Sequence, residues 1–153
     1  MKNILQLILK YEDKIKVLLI LYVLYCSFII GVSWDEKYYQ IIGKLNLNYL
    51  LSFGNIDENF FSKYRYSTFY WSFASLLSQV VPKKFEVEIY HLINSTMGLF
   101  TIIGVYQVVK RLFNKKVAKI AGVLLFFIPF FFGHLAINNK DIILTFSHIW
   151  IVY

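Results

Sequence analysis

Hydrophobic and polar positions divide this chain into long uncharged stretches separated by short charged ones. Residues 17–34, 89–109 and 120–139 contain no Asp, Glu, Lys or Arg. Each has about the length, roughly 20 residues, that a helix needs to cross a bilayer. A fourth apolar run, residues 142–153, begins in the same way but is too short for a full crossing at about 1.5 Å per residue. The pattern predicts an all-α protein with three transmembrane helices and a partial fourth and, from the stop in mid-span, a fragment. Residues 1–16 mix Ile4, Leu5, Leu7, Ile8 and Leu9 with Lys2, Lys10, Lys14 and Lys16, as an interfacial helix leading into the first span does.

Residues 66–82 are also uncharged, but they are shorter and carry Ser67, Thr68, Ser72, Ser75, Ser78 and Gln79. The distribution of charge decides whether they cross. Lys110, Arg111, Lys115, Lys116 and Lys119 share one short connection with no acidic residue, a strong cytoplasmic signal under the positive-inside rule. The lysines of residues 1–16 place the N-terminus on the same side, so an even number of crossings must separate the two. Spans 17–34 and 89–109 satisfy that count. Residues 66–82 then lie as a juxtamembrane helix with Tyr70, Trp71 and Phe73 at headgroup depth. The result is one membrane domain with an outer loop over residues 35–88 and a second outer turn at 134–141. Within the loop, residues 35–45 read as a short amphipathic helix with Tyr38, Ile41, Ile42 and Leu45 on its apolar side, and Gly54, Asn55 and Asp57 mark a turn.

Composition agrees with lipid as the solvent: 58% of residues are hydrophobic, 20% are aromatic and the mean hydropathy is +0.57. The net charge of +7 raises the possibility of nucleic acid. The basic residues, however, flank apolar runs and build no recognition motif, so no nucleic-acid partner is expected. The single cysteine, Cys26, excludes an intramolecular disulfide framework and sits in an apolar run as a small hydrophobe. No Walker loop, GxSxG elbow or Cys/His metal spacing is present.

Two polar clusters could carry chemistry. Asp35 and Glu36 stand at the outer end of the first span, readable as a solvated helix cap or as a general base beside an aromatic membrane surface. Gly133, His134, Asn138, Asn139, Lys140 and Asp141 occupy the second outer turn, readable as a polar hairpin or as part of a site. Asp35, Glu36, His134 and Asp141 offer oxygen and nitrogen donors of the kind a divalent ion accepts. Their spacing is not diagnostic of a metal, and no cofactor is expected. Arg65 is either an interfacial anchor or a phosphate-binding fork. His91 and His148 have no evident partner in the sequence, and Asn94-Ser95-Thr96 is a glycosylation sequon lying inside a predicted span. Pro129 among its phenylalanines predicts a kinked, lipid-facing helix.

Taken together, these stretches resemble the N-terminal part of membrane glycosyltransferases of the C-type fold, in the branch of glycosyltransferase family 39 that holds protein O-mannosyltransferases and aminoarabinose transferases. Trp34-Asp35-Glu36-Lys37-Tyr38-Tyr39 resembles the Asp-Glu motif of the first outer loop. The stretch from Arg65 to Trp71 resembles the basic-aromatic opening of a juxtamembrane helix. The stretch from His91 to Phe113 resembles the second span with its basic exit. Pro129-Phe130-Phe131-Phe132-Gly133-His134 followed by Asn138-Asn139-Lys140-Asp141 resembles a Pro-x-Phe-Phe-Gly-His, Asn-Pro-Lys-Asp pattern, with Asn139 in place of the proline.

The resemblance implies a sugar donor on polyprenyl phosphate, with Asp35 the base at the catalytic centre, Glu36 and Asp141 acting with it, and Arg65, His134, Asn138 and Lys140 binding substrate. It implies a bacterial inner-membrane location, a cytoplasmic N-terminus, a site facing the periplasm, and membrane lipid and the remainder of a split enzyme as partners. The reading from a different class is a small non-catalytic membrane protein that binds lipid or a partner through its aromatic outer loop.

Overall fold

The computed structural model describes residues 11–55 and 69–153 and is built from helices, with no strand among the described residues. In chain order these are α1 (Glu12–Ile29), α2 (Glu36–Leu51), α3 (Phe69–Ser78), a 3-10 turn (Lys83–Phe85), α4 (Glu86–Leu112), α5 (Lys115–Phe127), α6 (Pro129–His134) and α7 (Asp141–Val152). The predicted Asp57 part of the first turn, Arg65, and residues 1–10 lie outside the described residues.

Helix α4, with the 3-10 turn, forms a continuous helical unit over Lys83–Leu112, which is long and apolar enough to cross a membrane. It starts earlier than the uncharged run because Glu86 and Glu88 suit the positive end of a helix dipole, and it stops with Lys110 and Arg111 in its last turn, where cations are favoured. The chain then reverses within two residues. Asn114 caps α5, its side chain accepting from the backbone N–H groups of Lys116 and Val117 at 2.9 and 3.0 Å.

Two predicted spans are modified. The first helix begins at Glu12 and ends at Ile29, leaving 30–34 as the approach to α2. The third, expected over 120–139 with a kink at Pro129, is divided at Ile128, whose backbone is extended (φ −66°, ψ 115°). A residue before proline is pushed out of the helical region by the pyrrolidine ring, and Pro129 then opens the short helix α6 as its first residue. Between the first helix and α4, the helices α2 and α3 pack on each other as a platform. A Cβ at Gly43 would overlap the backbone of Trp71, so glycine lets the two helices meet closely. Tyr39 stacks on Trp71 with ring centroids 4.4 Å apart and planes 15° apart. The buried side of α2 is therefore Tyr39, Ile42, Gly43, Asn46 and Leu47, one position round from the expected stripe, while Tyr38 and Ile41 are exposed.

Helix α4 is the hub. Ser27 of α1 and Ser95 of α4 hydrogen-bond at 2.7 Å. Gly98 receives Leu135 and Ile142, and Gly104 receives Ile149 and Trp150, so α7 runs along α4 in close contact. Many large apolar side chains of α1 and α5 face outward, including Leu18, Leu21, Tyr25, Phe28, Leu124 and Phe127, whereas Ser27, His91, Asn94, Ser95 and Thr101 are buried. Small and polar residues inside with large apolar ones outside is how helices pack in lipid, where the hydrophobic effect does not drive helix association.

The bundle has two distinct ends. At one, Lys119 at the start of α5 bonds Glu12 at the start of α1 at 2.5 Å, and Lys16 joins Glu12 at 2.7 Å. At the other lie Asp35, Glu36, His91 and the 134–141 turn.

Candidate functional site

The end of the bundle opposite the Glu12–Lys119 pair is assembled by three segments that are far apart in sequence: the approach to α2, the first turns of α4, and the turn between α6 and α7. Asp35 occupies the N-cap position of α2 but makes no side-chain cap bond. Its carboxylate instead accepts from Ser33 Oγ at 3.3 Å and stands half exposed, 3.9 Å from Lys140 Nζ. The same ammonium lies 4.7 Å from the centroid of the Tyr39 ring, a cation–π distance. Because Tyr39 is itself stacked on Trp71, the α2–α3 platform sets where Lys140 can rest.

Asn138 organises the second turn. Its Oδ1 accepts from the N–H groups of Asp141 at 2.9 Å and Lys140 at 3.3 Å. Its Nδ2 donates to Asp141 Oδ2 at 2.8 Å and lies 2.7 Å from His134 Nδ1. An asparagine side chain that bonds the backbone two and three residues on defines a tight turn before a helix, here α7. With Nδ2 donating, His134 Nδ1 accepts, so the tautomer that carries its proton on Nε2 fits the network. His134, Asn138 and Asp141 thus form one connected group, and Lys140 projects from it to Asp35. Asn139, in the place of the proline of the pattern the turn resembles, is buried.

Glu36 is placed differently from Asp35. Instead of being solvated in the first turn of a helix, it is 2% exposed, and both of its oxygens are engaged. Oε2 accepts from the backbone N–H of Ser33, and Oε1 lies 2.7 Å from His91 Nε2. His91, fully buried, has a clear partner after all, and its Nδ1 is 3.2 Å from the carbonyl oxygen of Ser27. One turn further along α4, Asn94 donates to the carbonyl oxygen of Leu135 at 2.9 Å and faces the Tyr70 hydroxyl at 3.5 Å. Burial, with smaller contributions from Tyr90 and Glu36, raises the Tyr70 phenol well above its ordinary range, so it stays protonated as a donor. The sequon at 94–96 is therefore packing and hydrogen bonding in the bundle. The detectable signal was the stripe His91, Asn94, Ser95 and Gly98, spaced as one face of a helix within an otherwise apolar span.

Of the sequence-derived candidates, Asp35, Lys140, Asn138, His134 and Asp141 come together at one end, Glu36 is buried directly behind them, and Arg65 lies outside the described residues. Among the described residues no three His, Cys, Asp or Glu side chains converge as metal ligands. Beside the second turn, an apolar cavity of about 240 Å³ is lined by Val23, Cys26, Ser95, Phe132 and Leu135, among others. Chemically, the arrangement presents a half-exposed carboxylate and an ammonium on a rigid aromatic support, next to apolar surface.

Comparison with known proteins bears on this arrangement. No curated protein and no solved structure matches the chain. A family model described as dolichyl-phosphate-mannose-protein mannosyltransferase matches residues 68–153, which is more than half of the chain. The match takes in α3 to α7, with His134, Asn138, Lys140 and Asp141, and begins after Asp35, Glu36 and Arg65. An all-helical bundle, a helix able to span a bilayer and this match agree with the resemblance found in the sequence, and the chain belongs to the dolichyl-phosphate-mannose-protein mannosyltransferase family, whose members are membrane glycosyltransferases.

Proposed function

We propose that this chain forms the outer catalytic face of a membrane glycosyltransferase that moves a sugar from a polyprenyl-phosphate donor to a hydroxyl acceptor on the non-cytoplasmic side. The observation that carries the proposal is the approach of Asp35 to Lys140, two residues 105 positions apart that the fold brings to 3.9 Å at one end of the bundle. A carboxylate and an ammonium so placed suit an inverting displacement. The acceptor O–H gives its proton to Asp35 as the oxygen bonds to the anomeric carbon, and the bond from that carbon to the phosphate oxygen breaks. Charge that develops on the leaving phosphate is stabilised by Lys140, with Arg65 as the second cation. His134, Asn138 and Asp141 hold Lys140 in place through the turn they form.

The side assignment follows from the basic residues. The Glu12–Lys119 ion pair joins the N-terminal helix to the Lys-rich connection, which supports a common cytoplasmic end for both and the opposite, periplasmic end for Asp35. In proteoliposomes supplied with polyprenyl-phosphate mannose, Asp35→Asn should abolish sugar release from the donor while leaving membrane insertion unchanged. Near-normal transfer by that variant would remove Asp35 as the base.

A further inference from the structure

Glu36 and His91 form a buried pair whose proton inventory can be read from geometry. The Ser27 carbonyl can only accept, so His91 Nδ1 must carry a hydrogen to bond it. Between His91 Nε2 and Glu36 Oε1, 2.7 Å apart, one further proton is required, whichever atom holds it. Glu36 Oε2 is left to accept from Ser33 N–H. With either placement of that proton the pair is neutral overall, which is why a glutamate and a histidine can both be buried here without an uncompensated charge.

The partners of this pair show what it holds. Through Ser33 and Glu36 it pins the turn that bears Asp35, and through Ser27 it ties that turn to α1. Asn94, one turn along the same face of α4, holds the Leu135 carbonyl and so anchors the entry to the turn that bears Lys140. The two halves of the site do not share an element. Their common support is this face of α4.

We infer that His91, acting through Glu36, and Asn94, acting through Leu135, are positioning residues that set the approach of Asp35 to Lys140, and that Glu36 does not itself touch substrate. The inference rests on the catalytic reading above for its consequence in activity, but its geometric content stands apart. Glutamine at position 36 separates the two roles. Its amide N–H₂ can donate to His91 Nε2 while its oxygen accepts from Ser33, so the links survive without the carboxyl group.

The test uses the full chain in proteoliposomes, in a Cys26→Ser background with cysteines replacing Asp35 and Lys140, and a short bifunctional thiol reagent. The expected result is efficient crosslinking that persists with Glu36→Gln and falls several-fold with Glu36→Leu, His91→Leu or Asn94→Leu. Unchanged crosslinking in the leucine variants overturns the inference. So does equal loss in Glu36→Gln and Glu36→Leu. If His91→Leu fails to accumulate, the two position-36 variants, which can be matched for insertion, still decide. In the cysteine-free, otherwise native site with polyprenyl-phosphate mannose, Glu36→Gln should keep most of the turnover. Glu36→Leu should lower kcat about ten-fold or more while the donor KM stays within a factor of about two, the pattern of a lost transition-state alignment. Loss of turnover in Glu36→Gln with crosslinking intact would make Glu36 a direct participant and overturn that part. A wild-type chain that transfers no sugar would defeat the catalytic reading, while the crosslinking yields would still decide whether His91 and Asn94 position the two turns.

Discussion

Lys140 Nζ lies 3.9 Å from Asp35 Oδ2 and 4.7 Å from the centre of the Tyr39 ring, so one ammonium connects the α6–α7 turn both to the Asp-Glu motif and to the α2–α3 platform. Each partner is half exposed or is backed by Trp71, which keeps the group accessible yet fixed in position. Replacing Lys140 with methionine keeps the apolar stem and removes the charge. Sugar transfer should fall more than the stability of the bundle does, because an exposed ion pair contributes only about 0–1 kcal/mol to folding. Donor-saturation kinetics and thermal unfolding in detergent, measured on the same preparation, would check the difference.

Asn138 should matter for structure as much as for the site. Asn138→Ala removes the acceptor for the backbone N–H groups of Lys140 and Asp141 and should cost about 0.5–2 kcal/mol, as loss of a side-chain bond at a helix start does. Asn138→Asp keeps that acceptor but sets a second carboxylate against Asp141, and it should recover part of the stability while still impairing transfer. Full activity in Asn138→Ala would show that the turn holds its shape without this side chain.

Close helix approach at Gly43 predicts intolerance of bulk. Gly43→Val should destabilise by about 1–3 kcal/mol, the usual cost of forcing extra methyl groups into a packed contact, because the obstacle is the backbone of Trp71 and cannot rotate away. The predicted readout is increased proteolysis between α2 and α3, with the α4–α5 hairpin still protected.

The Glu12 carboxyl is lowered from 4.5 to about 2 by its bonds to Lys119 first and Lys16 second, with burial opposing them. A depressed acid stabilises the fold wherever pH exceeds its unfolded value, and that contribution disappears as pH falls through the folded one. The unfolding temperature of Glu12→Gln should therefore lie slightly below that of the native chain at neutral pH. The two should converge as pH drops from 4.5 towards 2. A gap that persists in acid would assign the effect to shape and not to charge.

Topology gives an independent check. A cysteine at Ser62 should react with a membrane-impermeant maleimide from outside, and one at Asn114 only after permeabilisation. The reverse labelling would invert the side assignment and move Asp35 away from a periplasmic donor.

The helical class, the long span around residues 89–109, the kink at Pro129 and the two polar clusters were all legible in the amino-acid order. They depend on local quantities: runs without charge, the steric demand of proline on its predecessor, and basic residues at one end of each span. Which polar residues work together was settled by packing in three dimensions. Glu36 and Asp35 are neighbours with the same chemistry, yet one is buried against His91 and the other is half exposed beside Lys140. Nothing local distinguishes them, because their partners are 55 and 105 positions away. The buried face of α2 was likewise displaced by one residue, since the close approach at Gly43 turns the side bearing Tyr39, Ile42 and Gly43 towards Trp71. Periodicity can show that such a helix has an apolar side. Only the neighbour it packs against selects which one is buried.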